Sequence, residues 1–169
     1  MKKLLLLTII LAFIACNEEE KITYVILNGS IENNEAENAM IRGNGFEKKI
    51  PISETGTFSD TLSISKDGYY QFFVGRERTG IYLEQGTTLS AFVNAKEFDE
   101  TIKYEGELAS ENNYLAAKYL NNETSIDYPE LFANDESTFV SELKNYNSQL
   151  EGLLAENKIV NETFNSLEK

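Results

Sequence analysis

The feature that most constrains this chain is the spacing of its turn residues between positions 22 and 106. Short runs rich in Val, Ile, Thr, Tyr and Phe are interrupted there by Gly, Asn, Asp or Pro, roughly every 8–12 residues. No run keeps the 3.6-residue period long enough for a helix, so the segment reads as strands. The candidates lie at 22–31, 39–42, 46–52, 58–64, 69–74, 80–83, 87–93 and 101–104. Alternation places Phe46, Lys48, Ile50 and Ile52 on one face, and Phe58, Asp60, Leu62 and Ile64 on another. Pro51 cannot donate to a ladder and marks an edge strand. Asn28-Gly29 suggests a bulge or kink, and Asp67-Gly68 a primed hairpin turn. The expected architecture is mainly β plus α: a small antiparallel β-sandwich or open barrel of 7–8 strands, followed by a helical connector.

The period changes after Gly106. Ser110 is a candidate cap for a helix starting at Glu111 and presenting Tyr114, Leu115, Ala117 and Lys118 through Leu120. Residues 121–128 read as a polar connection. Asp135 or Ser137 opens the longest helix, running to about Glu156, with Phe139, Leu143, Tyr146, Leu150, Leu153 and Leu154 as an apolar stripe. Asn161 restarts a helix with Phe164 and Leu167 as candidate core residues. Lys169 falls in mid-pattern without a C-cap, so the connector over 107–169 is expected to be incomplete.

Composition closes many function classes. The formal net charge is −13, which repels phosphate backbones and excludes nucleic acid as a partner. With no His and one Cys there is no Ser–His or Cys–His catalysis, no imidazole metal site, no internal disulfide and no C-x-x-C pair. A 41% hydrophobic fraction with 9 Tyr and 10 Phe belongs to a folded module rather than an acidic disordered tail.

Met1-Lys2-Lys3 is a short basic start to an uncharged run from Leu4 to Ala15, which has the length of a signal h-region and is too short to span a bilayer. It ends Phe13-Ile14-Ala15-Cys16, which resembles the lipobox of bacterial lipoproteins, although Phe13 stands where Leu is usual. That resemblance implies lipidation of Cys16 and anchoring to a membrane through several acyl chains; a secretory signal with a chance Cys is the alternative. The organisation expected is a signal peptide over 1–15, lipidated Cys16 and an acidic tether over 16–21, a β domain over 22–106 and the connector over 107–169. Asn17-Glu18-Glu19-Glu20 resembles the surface-export signal of Bacteroidota lipoproteins, or is a solvated tether facing the periplasm.

Several segments together resemble the front half of the Bacteroidota TlpA-like thiol:disulfide oxidoreductases, a thioredoxin-like envelope family. They are Gly29-Ser-Ile31, Gly56-Thr-Phe58-Ser-Asp-Thr-Leu62, Gly68-Tyr-Tyr70, Ile81-Tyr-Leu83 with Gly86, and Glu97-Phe-Asp99-Glu-Thr-Ile102-Lys-Tyr104-Glu-Gly106. Ala109-Ser-Glu111-Asn-Asn113-Tyr-Leu115 is similar to the start of that family's connector helix. The resemblance covers roughly residues 20–120 and implies a β-rich accessory domain followed by a thioredoxin fold. No Trp-Cys-x-x-Cys is present, so redox activity is carried onto no residue of this chain. The expected role is a non-enzymatic, cofactor-free accessory module that positions a downstream thioredoxin-like domain and helps select its protein substrates. The alternative is a stand-alone surface lipoprotein that binds a ligand or protein partner through its sheet.

No catalytic residue is assigned and no metal site is expected. The candidate binding residues are Arg76 and Arg78, able to clamp an anionic group, with Tyr70, Phe72 and Tyr82 from an aromatic set that includes Tyr69, Phe73 and Phe92. Core packing is the competing role for the aromatics. Glu97, Asp99, Glu100, Glu105 and Glu107 lack the alternating Asp/Asn–Gly pattern of a calcium loop and read as a solvated acidic edge.

Overall fold

A computed structural model describes residues 22–168. The signal segment, Cys16 and the acidic run after it lie outside the described residues. Eight strands form: β1 (Val25–Glu32), β2 (Asn38–Gly43), β3 (Phe46–Pro51), β4 (Thr57–Leu62), β5 (Gly68–Val74), β6 (Glu77–Leu83), β7 (Thr88–Asn94) and β8 (Lys103–Gly106). Among the described residues five helices accompany them: α1 (Phe98–Thr101), α2 (Ala109–Ser125), α3 (Tyr128–Ala133), α4 (Glu136–Glu156) and α5 (Glu162–Leu167).

The strands make two four-stranded sheets, ordered β4-β1-β7-β8 and β3-β2-β5-β6, as the sandwich reading expects. Period-two alternation puts Val25, Leu27, Ile41, Ile50, Phe58, Leu62, Phe72, Ile81 and Leu89 between them in one core. Pro51 closes β3, which is an edge strand. All pairs are antiparallel except β1–β7, which run parallel. Parallel neighbours cannot be joined by a hairpin; here the whole second sheet lies in sequence between them.

Two turn expectations are corrected. Asn28-Gly29 makes no bulge, because β1 keeps an unbroken register with both neighbours. Gly29 is there because β7 comes too close for a side chain: a Cβ would lie 1.8 Å from the Ala91 carbonyl oxygen. Asp67-Gly68 is no hairpin turn either, since β4 and β5 belong to different sheets. The link between them is pinned instead, with the Gln85 N–H donating to Asp67 Oδ1 at 2.7 Å and Gln85 Nε2 donating to the Ile64 carbonyl at 2.7 Å. The two-residue turn with positive φ at both positions is Asn44-Gly45 (+50° and +77°), which joins β2 to β3.

The helical part differs at its start. Ser110 caps nothing; α2 begins at Ala109 behind Leu108, whose φ of +60° turns the chain sharply out of β8. The helix also runs on to Ser125, through residues expected to be a connection. α4 starts behind Asp135, which accepts from the Thr138 N–H at 3.0 Å, and α5 behind Asn161, which accepts from the Phe164 N–H at 3.0 Å. The α4 stripe is only half-buried. Phe164 is fully buried, whereas Leu167, expected in the core, is 56% exposed because the last turn of α5 faces solvent there.

α2 closes one side of the sandwich. Asn112 accepts from the Tyr82 N–H at 2.7 Å and donates to the Tyr82 carbonyl at 3.0 Å, on edge strand β6. Asn113 accepts from the Tyr104 N–H at 2.8 Å and donates to the Tyr104 carbonyl at 2.9 Å, on edge strand β8. Two consecutive carboxamides thus bridge the edges of the two sheets, each standing in for one residue of a neighbouring strand. Among the described residues no helix is long and apolar enough to cross a membrane.

Candidate functional site

Alternation along β5 sorts the aromatic residues. Tyr70 and Phe72 face the inter-sheet core, 1% and 0% exposed, with the Tyr70 hydroxyl donating to the Lys66 carbonyl at 2.6 Å. Neither presents a surface to a ligand, so both leave the candidate set as packing residues. Tyr82 lies on the outer face but is covered by α5: its ring meets Phe164 edge-on at 4.9 Å, and Phe164 meets Tyr114 edge-on at 5.9 Å. Phe92 belongs to the other sheet, so the aromatic set forms no single face. The acidic residues at 97–107 do not converge, and among the described residues no three His, Cys, Asp or Glu side chains are placed to hold a metal ion.

Where α5 meets the sheet, a polar cluster forms around Glu168. Its side chain, 6% exposed, accepts from the Tyr69 hydroxyl at 2.5 Å, the Tyr114 hydroxyl at 3.0 Å and Lys118 Nζ at 2.6 Å. Burial acts to raise the Glu168 pKa, but hydrogen bonds from Lys118 and Tyr69 and the Lys118 charge outweigh it and hold the carboxyl below the ordinary glutamate value. Burial first, then the hydrogen bond from Tyr69 to Glu168, pushes the Tyr69 hydroxyl above the usual phenol range. The stability this carboxylate adds is therefore complete above the ordinary glutamate pKa and lost as pH falls through the depressed one. Acidification is expected to undock α5 before the sandwich melts. The ring resonances of Phe164 should shift while core amides of β1 and β2 stay unchanged, and Glu168→Gln should remove that acid transition.

Next to this cluster, the outer face of the second sheet and α2 enclose a groove of about 580 Å³. Its floor is Gln71, Gly80 and Arg78 on paired strands β5 and β6; Leu115, Lys118, Tyr119 and Asn122 form the α2 wall, and Tyr146 of α4 closes one end. Gly80 leaves the floor open, since a Cβ there would meet nothing within 4 Å. Arg78 lies in this groove, while Arg76 stands in the β5–β6 hairpin turn and does not line it; both are exposed. Gln71, Lys118, Tyr119 and Asn122 were not legible as site residues, because nothing local to them says which strand α2 lies against. The only available signal was the pair Asn112-Asn113, two polar residues side by side at the start of the helix. The groove carries side-chain donors and two phenol rings, groups able to recognise a polar ligand.

No family model matches the chain, and no curated protein matches it. Among solved structures it is similar to a putative cell adhesion protein from Bacteroides ovatus, with 13% identity and a TM-score of 0.33. That match covers 51% of this chain and 43% of the other, so the chain spans less than half the length of that relative.

Proposed function

We propose that this protein is a lipid-anchored, non-catalytic accessory domain of the bacterial cell envelope that positions a downstream thioredoxin-like thiol:disulfide oxidoreductase domain. The observation that carries the reading is where the family-like residues fall. Glu97 to Gly106 make α1 and β8, and Ala109 to Leu115 begin α2, whose Asn112 and Asn113 bridge the edges of both sheets. A helix held in this way gives whatever follows it a defined direction from the sandwich. The lipobox ending in Cys16 supplies the anchor.

The decisive experiment is to read the gene past the codon for Lys169. An open frame into a Trp-Cys-x-x-Cys module supports the reading, and a stop codon overturns it in favour of a stand-alone lipoprotein that binds through its sheet. The exposed groove beside Arg78 favours that second reading. The anchor has its own test. Cys16→Ser is expected to abolish incorporation of labelled palmitate and to move nearly all of the protein out of the membrane fraction, because membrane retention rests on the acyl chains. Protease added to intact cells then separates surface display from a periplasmic location.

A further inference from the structure

We propose that the open stretch of β6 binds an extended peptide by strand addition, at Gly80 and Arg78. The two sheets have four edge strands, and three are blocked against such pairing. β3 carries Lys48, Lys49 and Pro51. Lys48 Nζ donates to Asp60 Oδ1 at 2.7 Å and to the Thr61 carbonyl at 2.8 Å, which ties β3 to edge strand β4. β8 is four residues long, and Asn113 occupies its Tyr104. Charged residues, proline and short length are the usual devices that keep edges from pairing.

β6 differs. Both backbone groups of Tyr82 bond to Asn112, so both point away from β5. The β5–β6 register runs without a break from Gly68↔Leu83 to Val74↔Glu77. In an antiparallel pair the outward groups recur at every second residue. The N–H and C=O of Gly80 and of Arg78 therefore point outward as well, and among the described residues none of the four has a hydrogen-bond partner. Gly80 and Arg78 line the groove of about 580 Å³. Asn112 already supplies what one residue of an added strand would supply at Tyr82; a peptide would continue that ladder for two further positions.

The occupant follows from the partners left open. Alternating donors and acceptors two residues apart match a polypeptide backbone and match neither a phosphate nor a sugar ring. Arg78 has no acidic side chain within ion-pair distance among the described residues, so a peptide with a carboxylate at the position facing it is preferred. Glu77, adjacent in sequence and exposed, disfavours a strongly anionic segment. This inference does not depend on whether a redox domain follows the chain.

The test uses the deuterated, ¹⁵N-labelled full chain in detergent and a mixture of capped pentapeptides randomised at each position. A parallel mixture carries N-methyl groups at alternate residues and cannot complete a ladder. At a peptide concentration about ten times a millimolar Kd, exchange of the Gly80 and Arg78 amides should slow about tenfold, with the N-methylated mixture inert. Gly80→Leu, which fills the groove floor, should abolish the protection while the core amides of Leu27 and Ile41 remain as in the parent. Unchanged exchange at both amides overturns the proposal. So does protection that appears without peptide and grows with protein concentration, which would assign the edge to a second copy of this chain, and so does equal protection by the N-methylated mixture.

Discussion

Gly29→Ala is expected to prevent the sandwich from forming. The new Cβ would lie 1.8 Å from the Ala91 carbonyl oxygen, 2.7 Å from its carbon and 2.9 Å from the Ala91 nitrogen. These are backbone atoms of the central β1–β7 pair, so no side-chain rotation relieves the overlap. The φ of +155° at this position adds a second penalty for any residue with a Cβ. Relief requires β1 and β7 to separate, which breaks the parallel ladder holding the first sheet together. The loss should exceed about 4–5 kcal/mol, a large part of the 5–15 kcal/mol by which a domain is usually stable. Urea denaturation of the full chain, followed by far-ultraviolet circular dichroism, checks it. Gly152→Ala is the contrasting control: a Cβ there meets nothing, the site lies inside α4, and the change should stabilise that helix by about 1 kcal/mol. A Gly29→Ala protein that unfolds at the parent's urea midpoint would contradict the close approach of β7.

Asn112→Asp should cost about 3–5 kcal/mol, although it changes one atom. Asn112 is 0% exposed, and its Nδ2 donates to two carbonyl oxygens, of Tyr82 at 3.0 Å and Leu108 at 2.9 Å. A carboxylate sets an acceptor against both acceptors and buries a charge without a cation. The loss should therefore grow as pH rises, because the aspartate is held protonated at low pH and must ionise in place at higher pH. Asn112→Ala should cost about 2–4 kcal/mol, leaving the N–H and carbonyl of Tyr82 without partners beside a small cavity, while the Leu108 carbonyl keeps the backbone N–H of residue 112 at 3.1 Å. Asn113→Asp should cost less, about 1–2 kcal/mol, because its site is only half-buried and water can replace the lost donor. The order Asp at 112, Ala at 112, Asp at 113, measured as urea midpoints at pH 7, is the specific expectation; near-equal effects at 112 and 113 would remove the special place of Asn112 at the β6 edge.

Much of this protein was legible in its residues, for identifiable reasons. Strand positions at 22–106 follow from period-two alternation and from turn residues, which act over a few neighbours. The Phe46–Ile52 and Phe58–Ile64 faces, the edge role of the Pro51 strand and the caps at Asp135 and Asn161 are of that kind. What escaped were relations between distant segments. Asp67-Gly68 has the composition of a hairpin turn, yet the strands on either side of it pair in different sheets, and no local signal records that. Gly29 looked like a kink because its true partner, Ala91, lies 62 residues away. Tyr70 and Tyr69 are neighbours of the same type, and only the direction of β5 against the core buries one at 1% exposure and leaves the other 37% exposed.

The candidate site shows the same division. Arg78 could be singled out from charge alone, as one of two clustered arginines in a chain of net charge −13. That it stands in a groove and Arg76 does not depends on α2 lying along β6, which Asn112 decides by bonding to Tyr82 30 residues before it. The chain by itself determined its local elements, its acidity and the absence of histidine and paired thiols, because each is a property of single residues or short windows. Only the tertiary structure decided which edge stays open and which tyrosines are buried. Those outcomes depend on where backbone hydrogen-bonding groups are left without partners, and that is known only once distant strands and helices have paired.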